Sequence, residues 1–105
     1  MNATIKFSKD KFNENKAILN LSGALVLGNI KDIKSRILRH YNKYKMIELK
    51  GSSIDDIDLS FIQLVNSLKL SAKKDKKNII TDFEFNEQTM NLIEGAGFNS
   101  KLRPL

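Results

Sequence analysis

The sequence predicts one α/β domain, in which a four-stranded, mixed but mostly parallel sheet opens with an antiparallel hairpin and carries about three helices. Three observations lead there. Two stretches of alternating apolar and polar residues stand close together at the start. Two long stretches follow in which apolar residues recur at spacings of three and four, each succeeded by a short apolar run. The chain has 105 residues and a single proline, Pro104, so nothing interrupts its body, and residues 1–105 read as one domain.

The elements follow in order. Ala3 to Phe12 places Ile5 and Phe7 between Thr4, Lys6 and Ser8, the period of a half-buried strand. Asn13 to Lys16 is a polar break of turn residues. Ala17, Leu19 and Leu21 then share one face of a second strand that Ser22 and Gly23 are expected to end. From Leu27 to Tyr44 the stripe Ile30, Ile33, Ile37, Tyr41 and Tyr44 marks an amphipathic helix, with Gly28 or Asn29 at its start. Met46 to Leu49 is a short strand, expected to stop at Gly51, Ser52 and Ser53 before a turn holding Asp55, Asp56 and Asp58. Leu59 to Lys74 is a second helix with the stripe Phe61, Leu64, Val65, Leu68 and Ala72. Lysines at its end suit the negative pole of the helix dipole. Asn78 to Phe83 is the fourth strand. Asn86 caps a last short helix facing inward through Met90 and Ile93, and Gly97 ends it. Strands separated by helices of this length imply right-handed crossovers, hence parallel neighbours.

Composition narrows the function. Cysteine is absent, which removes disulfides, thiolate catalysis and cysteine-based zinc sites, and fits a reducing compartment. No apolar run is long enough to span a bilayer. Met1 to Asp10 has no apolar segment of the secretory kind, so a cytoplasmic protein is expected. The net charge of +6 invites nucleic acid or an anionic surface. Only Arg36, Arg39 and Arg103 supply the guanidinium groups on which base and phosphate readers lean, so nucleic acid is not the expected partner.

Catalytic templates are missing. The single histidine, His40, lies off the apolar stripe of its helix with no nucleophile motif beside it, and reads as a solvated surface residue. Phosphate-binding glycine loops are absent. The chemically dense segment is 51–64, between a strand's carboxyl end and a helix start, the edge at which open α/β sheets place their sites. Its carboxylates Asp55, Asp56 and Asp58 allow two readings. One is a hard cation, with Asp82 and Glu84 leaning over from the next strand. The stronger is helix capping, because an aspartate there accepts from free N–H groups. No cofactor or metal is expected.

Several segments together resemble the STAS domain family, the anti-sigma-factor antagonists. Ile57-Asp58-Leu59-Ser60-Phe61-Ile62-Gln63-Leu64 resembles the family's signature loop, Leu21-Ser22-Gly23 the end of its second strand, Met46-Ile47-Glu48-Leu49 its central strand, and Leu92 to Phe98 its last helix. The resemblance spans roughly residues 3 to 98 and implies a non-catalytic regulatory module that docks a protein and is released by phosphorylation of a hydroxyl just after the aspartate. Here Leu59 follows Asp58 directly, and Phe61 stands where the family usually has glycine. Ser60 is then the available phosphoacceptor.

The expected docking face comprises Ser53, Asp56, Asp58, Leu59, Ser60 and Gln63. Its partner would be a protein: an anti-sigma-factor kinase, or a transporter or signalling subunit if the chain is an accessory STAS subunit of a transporter or of a chemotaxis or signalling complex. A second reading is a binder of nucleic acid or anionic surfaces through Lys31–Lys50 and Lys69–Lys77. A third is a metal-assisted enzyme or phospho-acceptor on Asp55, Asp56 and Asp58. The sequence does not set the oligomeric state.

Overall fold

A computed structural model describes residues 2–85 and 102–104, with side chains for 2–83. Strand β1 (Ala3–Lys9) pairs antiparallel with β2 (Lys16–Leu25), which lies parallel to β3 (Met46–Ile57). Strand β3 is parallel in turn to β4 (Asn78–Phe85). A short fifth strand, β5 (Leu102–Pro104), adds parallel to β4, so the sheet runs β1-β2-β3-β4-β5. Helix α1 (Ile30–Tyr41) crosses from β2 to β3 and α2 (Leu59–Asp75) from β3 to β4. The expected mixed sheet and opening hairpin are present, with β5 as an unforeseen addition. The predicted last helix from Asn86 lies outside the described residues.

The register explains why one face buries. Ala17, Ile47 and Ile79 stand side by side across β2, β3 and β4, then Leu19, Leu49 and Thr81, then Leu21, Gly51 and Phe83. Because side chains alternate along a strand, all three rows face the same way. They meet Ile33, Ile37 and Tyr41 of α1 and Phe61, Leu64, Val65, Leu68 and Ala72 of α2 in one core. The stripe read for α2 is buried throughout, with Ile62 beside it, and that read for α1 is buried at Ile33, Ile37 and Tyr41, while Ile30 and Tyr44 are partly buried and Tyr44 lies beyond the helix.

The boundaries differ from expectation in instructive places. Strand β1 stops at Lys9, and Phe12 sits in the following turn, 97% exposed. Strand β2 does not end at Ser22 and Gly23. Gly23 continues it at φ 86°, and a Cβ there would strike the Asn2 carbonyl. Strand β3 likewise runs through Gly51, Ser52 and Ser53, so Asp55 and Asp56 belong to a strand and not to a turn. Gly51 is required there because the Phe83 ring occupies the place of a Cβ. The extra residues of β3 are absorbed by register shifts opposite Leu21, Gly23 and Ala24, with Ser53 left-handed at φ 51°. Helix α1 is shorter than the predicted Leu27–Tyr44 because Leu27–Asn29 forms a separate 3-10 turn. Asn29 makes no side-chain cap to α1. Its amide instead donates to the Ala24 carbonyl at 2.8 Å.

Candidate docking face around Asp58

Strands β2 and β3 end side by side at Leu25 and Ile57, and both chains then turn into helices at the same edge. Asp58 is the N-cap of α2, with an extended backbone at φ −132° and ψ 178°. Its Oδ1 accepts from the Ser60 N–H at 3.0 Å and also from the Ser60 hydroxyl. Its Oδ2 accepts from the Leu27 N–H at 2.9 Å, across 31 residues of sequence. The Asp58 N–H donates to the Leu25 carbonyl at 3.3 Å, and the Asp58 carbonyl accepts from Phe61 at 3.2 Å. One residue therefore ties the start of α2 to the connection between β2 and α1. Burial works to raise the Asp58 carboxyl. The bonds from the Ser60 hydroxyl and from the Leu27, Ser60 and Phe61 amides outweigh it and hold the group below the ordinary carboxylate range.

The remaining expected site residues are not all gathered there. Leu59 is exposed to 53% at the first helical position. Gln63 is exposed one turn further along α2. Asp56 turns its carboxylate to the Ile57 N–H at 2.8 Å, within its own strand. Ser53 is exposed in the irregular part of β3, five residues before Asp58 and, at about 3.3 Å per residue, well over 10 Å of strand away. Asp58, Leu59 and Ser60 form the compact part of the site. Asp55 is exposed, and among the described residues no three aspartates, glutamates or histidines come together as a metal centre.

Two residues stand differently from expectation. Phe61 is wholly buried and packs on Phe83 with ring centroids 5.5 Å apart, over Gly51. At that position the chain uses an aromatic core anchor. His40 is not simply solvated: it is partly buried and stacks on Phe7 at 4.4 Å, and burial, then Lys43 and Arg39, lower its pKa.

Sequence reasoning missed Leu27. Its spacing of three from Ile30 placed it in line with the stripe of α1, yet the 3-10 turn swings it outward, 71% exposed. Its amide is bonded to Asp58, so two exposed leucines adjoin one aspartate, Leu27 by that bond and Leu59 as its neighbour in the chain. No signal of period or composition distinguishes such a residue from a core one.

This order of strands and helices is the STAS fold. Among the solved structures it matches is that of the Bacillus cell fate determinant SpoIIAA in the phosphorylated form, a STAS-domain anti-sigma-factor antagonist. The TM-score is 0.65, over 95% of this chain and 91% of that one, at 13% sequence identity. The likeness is one of fold. No family model matches the sequence, and no curated protein does. Among the described residues no helix is long and apolar enough to cross a membrane.

Proposed function

We propose that the chain is a non-catalytic regulatory module that docks a protein partner through the helix start at Asp58–Ser60, in the manner of an anti-sigma-factor antagonist. The observation that carries this reading is the pair Leu27 and Leu59, both exposed and both adjoining an aspartate whose two oxygens already accept bonds from the protein itself. An apolar surface around a satisfied polar centre is the composition of an interface core, in which charged groups are few and leucine-sized side chains fill a partner's pockets. The SpoIIAA structure, solved in a phosphorylated form, supports a protein partner and a phosphate switch on this fold.

Ser60 is the hydroxyl that can carry such a switch. Unmodified, it donates to Asp58 and completes the cap. A phosphate on Ser60 removes that donor and sets about −1.5 to −2 charges against the Asp58 carboxylate. The cap and the adjoining leucines must then rearrange, which releases a docked partner. Ser53, Asp56 and Gln63 fall to the rim of the face.

Calorimetric titration against the kinase or regulator encoded beside this chain's own gene tests the reading. Leu27→Asp and Leu59→Asp are expected to weaken that complex at least tenfold, with melting temperatures close to the parent's because both side chains are exposed. Unchanged affinity in both would refute this docking face. Mass spectrometry after incubation with the same kinase, shown to be active, tests Ser60: unmodified Ser60 ends the switch while leaving the docking intact.

A further inference from the structure

At the opposite edge of the sheet, where the parallel strands begin and α2 ends, lies a concavity of about 700 Å³. Lys45, Lys69, Lys73, Lys76 and Lys77 line it, together with asparagines including Asn13 and Asn78, and among the described residues no aspartate or glutamate does. These lysines come from the approach to β3, from two successive turns of α2 and from its C-cap, so they are distant in sequence and joined only by the fold. We infer that this concavity is a binding site for a small ligand carrying two or more phosphate groups. The inference is independent of the docking face around Asp58.

The bland explanation is that lysines at a helix C-terminus complement its dipole, an effect confined to the last turn. That accounts for Lys73 and leaves Lys69, which stands six residues before the end of α2, and Lys45, which is not on the helix. Lys69 is half-buried, and burial lowers its pKa. Among the described residues, three carboxylates have partners of their own. Asp75 accepts the Tyr41 hydroxyl, whose pKa is pushed up to about 12 by that bond, by burial and by the charge of Asp75. Asp10 and Glu48 hold Lys16, at 3.4 Å and 2.8 Å. Like charges gathered in a concave wall focus a field that attracts an oppositely charged ligand.

The walls are also fixed before any ligand arrives. Met46 N–H donates to the Asn15 carbonyl at 3.0 Å and Asn78 N–H to the Lys45 carbonyl at 2.9 Å, stitching the loop before β2 to the starts of β3 and β4. Lys76 is left-handed at φ 59°, and Lys77 N–H closes the helix end on the Ala72 carbonyl at 2.8 Å. Lys77 lies over the Tyr41 ring at 4.4 Å and its ammonium donates to the Tyr41 carbonyl. It contributes charge from a held position, while Lys45 and Lys73 are exposed and able to close on a ligand.

Titration of the intact chain with inorganic tripolyphosphate at low and physiological salt decides the matter. Saturable binding of one ligand per chain is expected, weakening with salt. Lys69→Gln and, separately, Lys73→Gln should each reduce affinity about tenfold, the size of one charge-assisted hydrogen bond. The exposed Lys73 guards against a folding defect at Lys69, and each variant's melting curve is recorded. Lys31→Gln combined with Lys34→Gln removes charge from α1 and should leave affinity unchanged. Absence of saturable binding overturns the inference, and so does an equal loss in the α1 control, which would make the effect one of net charge. Tighter binding to random duplex DNA or to phosphatidylglycerol vesicles through the same lysines also overturns it, because the site would then serve a macromolecule or a membrane.

Discussion

At the scale of single residues, Asp58 shows how one carboxylate is made to serve two elements. Its two oxygens divide the work: one caps α2 and the other holds Leu27. Removing a capping aspartate costs about 0.5–2 kcal/mol, and the second bond places Asp58→Ala towards the upper end. The sign of the pH dependence follows from the lowered pKa. The contribution is present above the unfolded carboxylate value of about 4 and is lost as pH falls through the lower folded value. In urea unfolding, the gap between parent and Asp58→Ala should therefore narrow as pH falls from about 5 through the lowered value of the folded carboxyl. A constant gap would mean that ionisation contributes nothing. Thr81 poses the converse case. It is buried between Leu49 and the helices, and its hydroxyl has no partner among the described residues. Thr81→Val keeps the shape and removes that group, and is expected to stabilise the protein by about 1 kcal/mol in the same assay. A loss of stability would show that the hydroxyl is satisfied after all.

At the scale of elements, the apolar stripes were legible because helix and strand periods leave a regular mark on which residues are buried. Phe61, Leu64, Val65, Leu68 and Ala72 were read as one face of α2 and are buried as one face. Strand ends were less legible. Gly51, Ser52 and Ser53 have the composition of a turn, but β3 is paired with β2 before and after the two serines, at Gly51 and again at Ile54, and Phe83 fills the space that Gly51 leaves. Long-range pairing thus overrode a local signal. Leu27 failed for a similar reason, since a 3-10 turn of three residues rotates it off a stripe whose spacing it obeys. The candidate site was legible at Asp58 because capping chemistry is local, and obscure at Leu27 and at the lysine concavity because only the fold brings their parts together. The end of α2 offers a direct test of a local preference. Lys76 adopts φ 59° and ψ 40°, a conformation that disfavours residues with a Cβ. Lys76→Gly should raise stability by about 1 kcal/mol in chemical denaturation. Destabilisation would show that packing of the lysine stem outweighs the backbone strain.

At the scale of the whole molecule, α2 is the member that connects both proposed sites. It begins at the Asp58 cap and ends among the lysines, and its 17 residues span about 25 Å. The positive pole of its dipole lies at the docking face and the negative pole at the lysine concavity. Added negative charge at the first end and positive charge at the second both complement the helix, which raises the question of whether the two sites communicate. Screening argues that they do not. The Debye length at physiological salt is about 8 Å, a third of the helix, and the core between the ends is continuous packing with no second arrangement apparent in it. Two substitutions separate coupling from independence: Ser60→Asp, which brings charge to the cap, and Lys73→Gln, which removes it from the far end. Sites this far apart with no shared partners are expected to combine additively within about 0.5 kcal/mol. The double variant's unfolding free energy should then equal the sum of the single changes, and Ser60→Asp alone should leave tripolyphosphate affinity unaltered. A coupling beyond that margin, growing as salt is lowered, would make α2 an electrostatic conductor between the two ends. A coupling that ignores salt would place the communication in the packing of α2 against the sheet, through Phe61 and Phe83.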